Sequence, residues 1–90
     1  MFRYRHTKAH EELRQQIVAA RIAARLRQSD LAEMLSVPQS FISKIESGER
    51  GLSLVETLMV LDALCADYDA VISAVRNAIA TESGGSTESC

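Results

Sequence analysis

Apolar residues recur along this 90-residue chain at helical spacing, in five separate stretches. Leu13, Ile17, Ala20 and Ala24 follow one another at intervals of four, three and four, which is one face of a helix. The spacing predicts a first helix from about Lys8 to Leu26, with Thr7 as its N-cap and Arg14, Arg21 and Arg25 along it. Leu31, Ala32 and Leu35 predict a second helix over Gln28 to Leu35. Ile42 and Ile45 predict a third, from Pro38 or Gln39 to Ser47, with Gly48 as a left-handed stop. Glu49 to Leu52 read as a loop. Ser53 and Glu56 then form a capping box, each side chain able to satisfy the other's backbone N–H. It opens a fourth helix to about Leu64, with Leu54, Leu58 and Leu61 expected inward. Asp67 is placed to cap a fifth helix, which carries Val71, Ile72, Val75 and Ile79.

Helix formers dominate and Gly and Pro are scarce, so the predicted fold class is all-α in a single domain. Residues 1–6 form a basic, aromatic arm (Phe2, Arg3, Tyr4, Arg5, His6), and the helical domain covers residues 7–80. The Ser- and Gly-rich residues 81–90 cannot bury a core and are expected to be a disordered tail. Cys65 sits in an apolar stretch and is expected to be a small buried hydrophobe, with Cys90 an exposed free thiol. No membrane span or secretory leader is visible, and two cysteines fit a reducing cytoplasm.

Catalysis has nothing to stand on. No nucleophile, base and orienting group occur in a recognisable set, and no glycine-rich phosphate loop is present, so neither an enzyme nor a cofactor is expected. His6 and His10 are four apart but lack a third ligand, so no metal site is expected. The net charge of −2 argues at first against a nucleic-acid partner. Its distribution changes that: residues 1–50 hold nine Lys or Arg against six Asp or Glu, a net of +3, while residues 51–90 carry −5. A local basic face matters more for phosphate attraction than the total.

The second and third helices are short, amphipathic and tightly joined. The third has an apolar face of isoleucines and a polar face of Gln39, Ser40, Ser43 and Lys44. Two helices so arranged present the second as a probe for the major groove. Gln suits the N6/N7 edge of adenine, and Lys the O6/N7 edge of guanine. Glu46 lies on the otherwise apolar side, where an unpaired carboxylate is costly. Phe41 is expected to pack at the core edge beside the isoleucines.

These residues read Leu26-x-Gln28-x-x-Leu31-Ala32, then Ser40-x-Ile42-Ser43-x-Ile45-Glu46-x-Gly48. The pattern resembles the phage-repressor-type helix-turn-helix family, also called the Cro/CI or XRE type, over roughly Leu13 to Val75. The resemblance implies a compact five-helix, lambda-repressor-like domain with its helix-turn-helix at about 28–47. By matching position it implies that Gln39, Ser40, Ser43 and Lys44 read bases. It also implies that Gln28, Ser47 and Arg50 meet phosphates, and that Arg21 and Glu46 form a partly buried salt bridge. Glu49 falls in the same phosphate-facing loop. Two positions depart from the family pattern: Ser36 stands where glycine is usual, and Pro38 replaces a Ser or Thr cap.

Two functions from different classes follow. The first is a sequence-specific regulator of double-stranded DNA, a repressor acting as a homodimer on a palindromic operator, because one such unit reads few base pairs. Tyr68, Val71, Ile72, Val75 and Ile79 offer a candidate dimer surface. The second is an antitoxin, an adaptor or a restriction-modification controller that acts through a protein partner. No effector domain is visible, so no small-molecule effector is expected.

Overall fold

The computed structural model describes residues 8–82, and these form five helices. They are α1 (Lys8–Ala23), α2 (Gln28–Leu35), α3 (Gln39–Ser47), α4 (Leu54–Ala63) and α5 (Tyr68–Glu82). The arm at 1–6, the Thr7 cap and Cys90 lie outside the described residues. Helix α1 packs mainly against α5, α2 against α3, α3 also against α1, and α4 against α2. One core results, built from Ile17, Leu31, Ala32, Ile42, Val60, Leu61, Leu64 and Val71. Every helix contributes to it, as a chain this short requires.

Three of the helices stop in the same way. Arg25, Ser36 and Cys65 take left-handed backbone with φ of 62°, 59° and 53°. At each stop two N–H groups turn back onto the last carbonyls. Arg25 donates to Ile22 and Leu26 to Arg21; Ser36 to Glu33 and Val37 to Ala32; Cys65 to Asp62 and Ala66 to Leu61. These are Schellman motifs, with an apolar residue following each left-handed one. Leu26, Val37 and Ala66 all pack against the core. A left-handed non-glycine residue costs about 1–2 kcal/mol, and burial of the following side chain offsets it.

This explains several departures from the sequence pattern. Helix α1 ends at Ala23 rather than Leu26, because the Arg25 turn folds Leu26 inward, and Ala24 is left exposed. Cys65 is exposed rather than buried, because it occupies the left-handed stop itself. Leu54 and Leu58 of α4 face outward, whereas Leu61 is buried as expected and Val60 is buried beside it. That helix is apolar nearly all round, so its period does not select a face. Helix α5 runs to Glu82, two residues into the expected tail. Val71, expected on a dimer surface, is buried in the chain's own core, and Tyr68 and Val75 are half-buried against that core.

The remaining caps are local. Asp67 accepts from the Ala70 N–H at the start of α5. Ser53 accepts from the Glu56 N–H, and Glu56 accepts from the Ser53 N–H. Gly48 ends α3 at φ 87°, and a Cβ there would also come within 3.2 Å of the Arg14 Nε. No other residue type meets both conditions without strain.

Candidate nucleic-acid interface

Helix α3 is held by one face. Ile42 and Ile45 are buried, and Phe41 packs at the edge of the core. The opposite face is left to solvent: Gln39, Ser40, Lys44 and Ser47 are exposed and Ser43 is half-buried. Pro38 is the N-cap and has extended backbone, with its carbonyl accepting from the Phe41 N–H. The helix therefore begins at Gln39. Ser43 Oγ donates to the Ser40 carbonyl at 3.2 Å. Ser47 Oγ donates to the Lys44 carbonyl at 3.2 Å, and to Glu49 at 3.3 Å.

A polar network ties this helix to α1 and α2. Arg21 on α1 donates to both oxygens of Glu46 on α3, at 2.7 and 3.0 Å. Its third donor reaches the Leu26 carbonyl at 2.7 Å, just before α2. Gln28, the first residue of α2, donates to Glu46 Oε1 at 2.9 Å and accepts from Gln39 Nε2 at 3.5 Å. The bidentate fork matches guanidinium to carboxylate geometry. Hydrogen bonding to Glu46 raises the Arg21 pKa further, so the guanidinium stays charged. One end of the network is thus buried, and the other presents the Gln39 amide at the exposed face. Both glutamine amides keep hydrogen-bonding capacity beyond these contacts.

Arg50 is paired within the chain. Its two terminal nitrogens donate to Glu56 at 3.0 Å each, and Nη1 also donates to the Gly51 carbonyl at 2.8 Å. The guanidinium lies 4.4 Å from the centre of the Phe41 ring, a cation–π distance. Arg50 thus links Phe41 of α3 to the cap of α4, with Glu56 as its ion-pair partner. The Arg50 guanidinium, with the Ser53 N–H after it, holds the Glu56 carboxyl down at about 2.

A cation that the sequence pattern passes over stands at the start of α2. Arg27 is the N-cap residue, with its side chain 80 % exposed beside Gln28. It donates to Asp30 at 2.9 and 3.1 Å, and its own N–H donates to the same carboxylate at 2.8 Å. The Arg27 side chain first, and its N–H second, lower Asp30 to about 2. The available signal was an acidic residue three places after the residue preceding the helix. Among the described residues no group of three or more His, Cys, Asp or Glu is placed to hold a metal, and no helix is long and apolar enough to cross a membrane.

These carboxyls set an acid response. Asp30 and Glu56 titrate lower in the folded chain than their usual 3.8 and 4.5. Between those values and about 2 the unfolded chain binds more protons, so stability falls as pH falls through this window. Urea melts are expected to show this decline in the wild type and a shallower one in Glu56→Gln. Identical pH profiles would show that Arg50 and Glu56 do not interact in solution.

A family model described as helix-turn-helix matches residues 17–61, half of the chain. That span runs from the buried Ile17 of α1 through α2 and α3 to the buried Leu61 of α4. No curated protein matches the chain. The matched family is one of DNA-binding regulatory domains rather than of enzymes. With α2 and α3 paired, α3 outward and polar, and its inner face bolted to α1, the chain belongs to the XRE-type helix-turn-helix family of DNA-binding transcription regulators.

Proposed function

We propose that this chain is a sequence-specific repressor that binds a palindromic operator as a homodimer, with α3 in the major groove. The observation that carries the reading is the division of α3: isoleucines buried on one face, and uncharged amide and hydroxyl groups plus Lys44 on the other. Gln39, Ser40, Ser43 and Lys44 are the base-reading set. Gln39 suits adenine and Lys44 guanine. Gln28 meets a phosphate at the N-terminus of α2, where backbone N–H groups and the helix dipole favour an anion. Arg27 joins it there, exchanging Asp30 for the backbone, and Ser47 meets a phosphate at the far end of α3. Repression follows by occlusion, since a bound dimer covers its operator. A DNA target supports a location beside the chromosome, in the cytoplasm.

Selection of duplexes from a random pool with the full chain tests this. The expected product is a two-fold symmetric site with half-sites about 34 Å apart, one helical turn. Affinity for it falls steeply with salt as phosphate counterions are released. A pool with no enriched sequence overturns the reading.

A further inference from the structure

Six of the eight large apolar side chains left exposed among the described residues lie on α4 and α5. Four form one stripe on α4: Leu54, Val55, Leu58 and Met59, between 40 and 73 % exposed. They are spaced one and four apart, so they share one face over two turns. Tyr68 extends this surface to α5, because its hydroxyl contacts the Leu58 carbonyl and donates to the Asp62 carboxylate. Ile72, one turn further along α5, is 49 % exposed.

We infer that the α4 stripe is the contact between two copies of this chain, with the two α4 helices antiparallel across a two-fold axis near Leu58. The inference deepens the regulator reading and rests on it for the need of two half-sites. Three observations select a second copy as the occupant. First, the stripe itself carries no charge, so nothing on it repels its own image. The neighbouring carboxylate of Glu56 is bound by Arg50 and Ser53. Second, antiparallel pairing sets Asp62, near the C-terminus of α4, beside the N-terminal end of the partner's α4. That end bears the positive pole of the helix dipole, so the contact is complementary to itself. Third, the area suits self-association. The stripe and Ile72 expose on the order of 500 Å² of apolar surface, the size of patch that marks an interaction site. With a polar rim, two copies reach the low edge of specific interfaces, about 1,200 Å². Such a dimer is weak in solution and strengthened on a duplex that holds both copies close.

The contact replaces the one expected from α5 alone. Val71 lies in the core, and only Ile72 and Ile79 of that set are exposed.

Sedimentation of the full chain at high micromolar concentration tests it, alone and with a selected duplex carrying one or two half-sites. The wild type is expected to dimerise, to keep its dimer at high salt, and to bind two half-sites cooperatively. Leu58→Glu, at the axis itself and 40 % exposed, sets like charges against each other and is expected to weaken dimerisation by about 100-fold or more. Leu54→Glu, at the most exposed position of the stripe and opposite Asp62 of the other copy, also weakens dimerisation and serves if Leu58→Glu disturbs folding. Mixing Leu58→Glu with Leu58→Lys restores association, which only pairing of α4 about this axis allows. A wild type that stays monomeric both free and on the two-site duplex overturns the inference and leaves the face to a different protein. So do folded glutamate variants that dimerise as the wild type does. If those variants keep cooperative binding to a selected site, the α4 contact fails while the regulator reading stands. If the wild type dimerises through α4 yet enriches no DNA, the contact stands and the regulator reading fails.

Discussion

Glu46→Ala is expected to lower the unfolding free energy by about 3–5 kcal/mol, the range for a buried ion pair left with one partner. The side chains of Arg21 and Glu46 are only 13 and 7 % exposed, and both carboxylate oxygens are used. Truncation leaves the Arg21 guanidinium between the helices with the Leu26 carbonyl but no carboxylate, and it strips the Gln28 amide of an acceptor. Exposed pairs such as Arg27–Asp30 and Arg50–Glu56 are screened by solvent and matter far less. A cycle with Arg21→Met isolates the pair. Coupling of about 2 kcal/mol or more is expected in urea melts, because the two groups touch and share one network. The double variant Arg21→Met with Glu46→Leu regains much of the lost stability, since an apolar pair needs no desolvation. Its DNA binding does not return in step, because Gln28 still lacks the partner that orients it toward Gln39. A coupling near zero would show that the two side chains act independently.

On the outward side of α3, Lys44→Ala is expected to weaken binding to a selected operator by about 1–3 kcal/mol, roughly tenfold to a hundredfold, and to relax preference at one base pair. Lys44 is exposed and packs against nothing in the core, so the melting curve is expected to be unchanged. Arg27→Ala provides the contrast. It is expected to weaken all duplexes about equally and to lower the salt slope by about one unit, as loss of a phosphate contact does. The two variants separate reading from holding. Titrations of each against the selected site and a scrambled duplex, at two salt concentrations, measure both quantities. If Lys44→Ala leaves the preference for every base pair intact, α3 does not enter the groove with this face.

What the chain order by itself determined is whatever depends on neighbours within one or two turns. The α2–α3 unit, the Gly48 stop, the Ser53–Glu56 box and the Asp67 cap are legible because their chemistry closes within four residues. The Arg21 to Glu46 contact spans 25 residues, yet a carboxylate on an apolar face demands a cation, and family resemblance named which one. Tertiary structure decided the rest. Helix α4 has apolar residues on all sides, so only its docking on α2 could select Val60 and Leu61 as inward and leave Leu54 and Val55 to solvent. Arg50 reads as a free cation in one dimension, and only the folded loop between α3 and α4 gives it Phe41 of α3 and Glu56 of α4. Cys65 and Ala24 look apolar in sequence, but each lies at a helix end where the next residue packed against the core, Ala66 or Leu26, sets the turn. In each case the short-range pattern fixes that a helix exists, and the energy of burying one face against a distant partner fixes which way it turns.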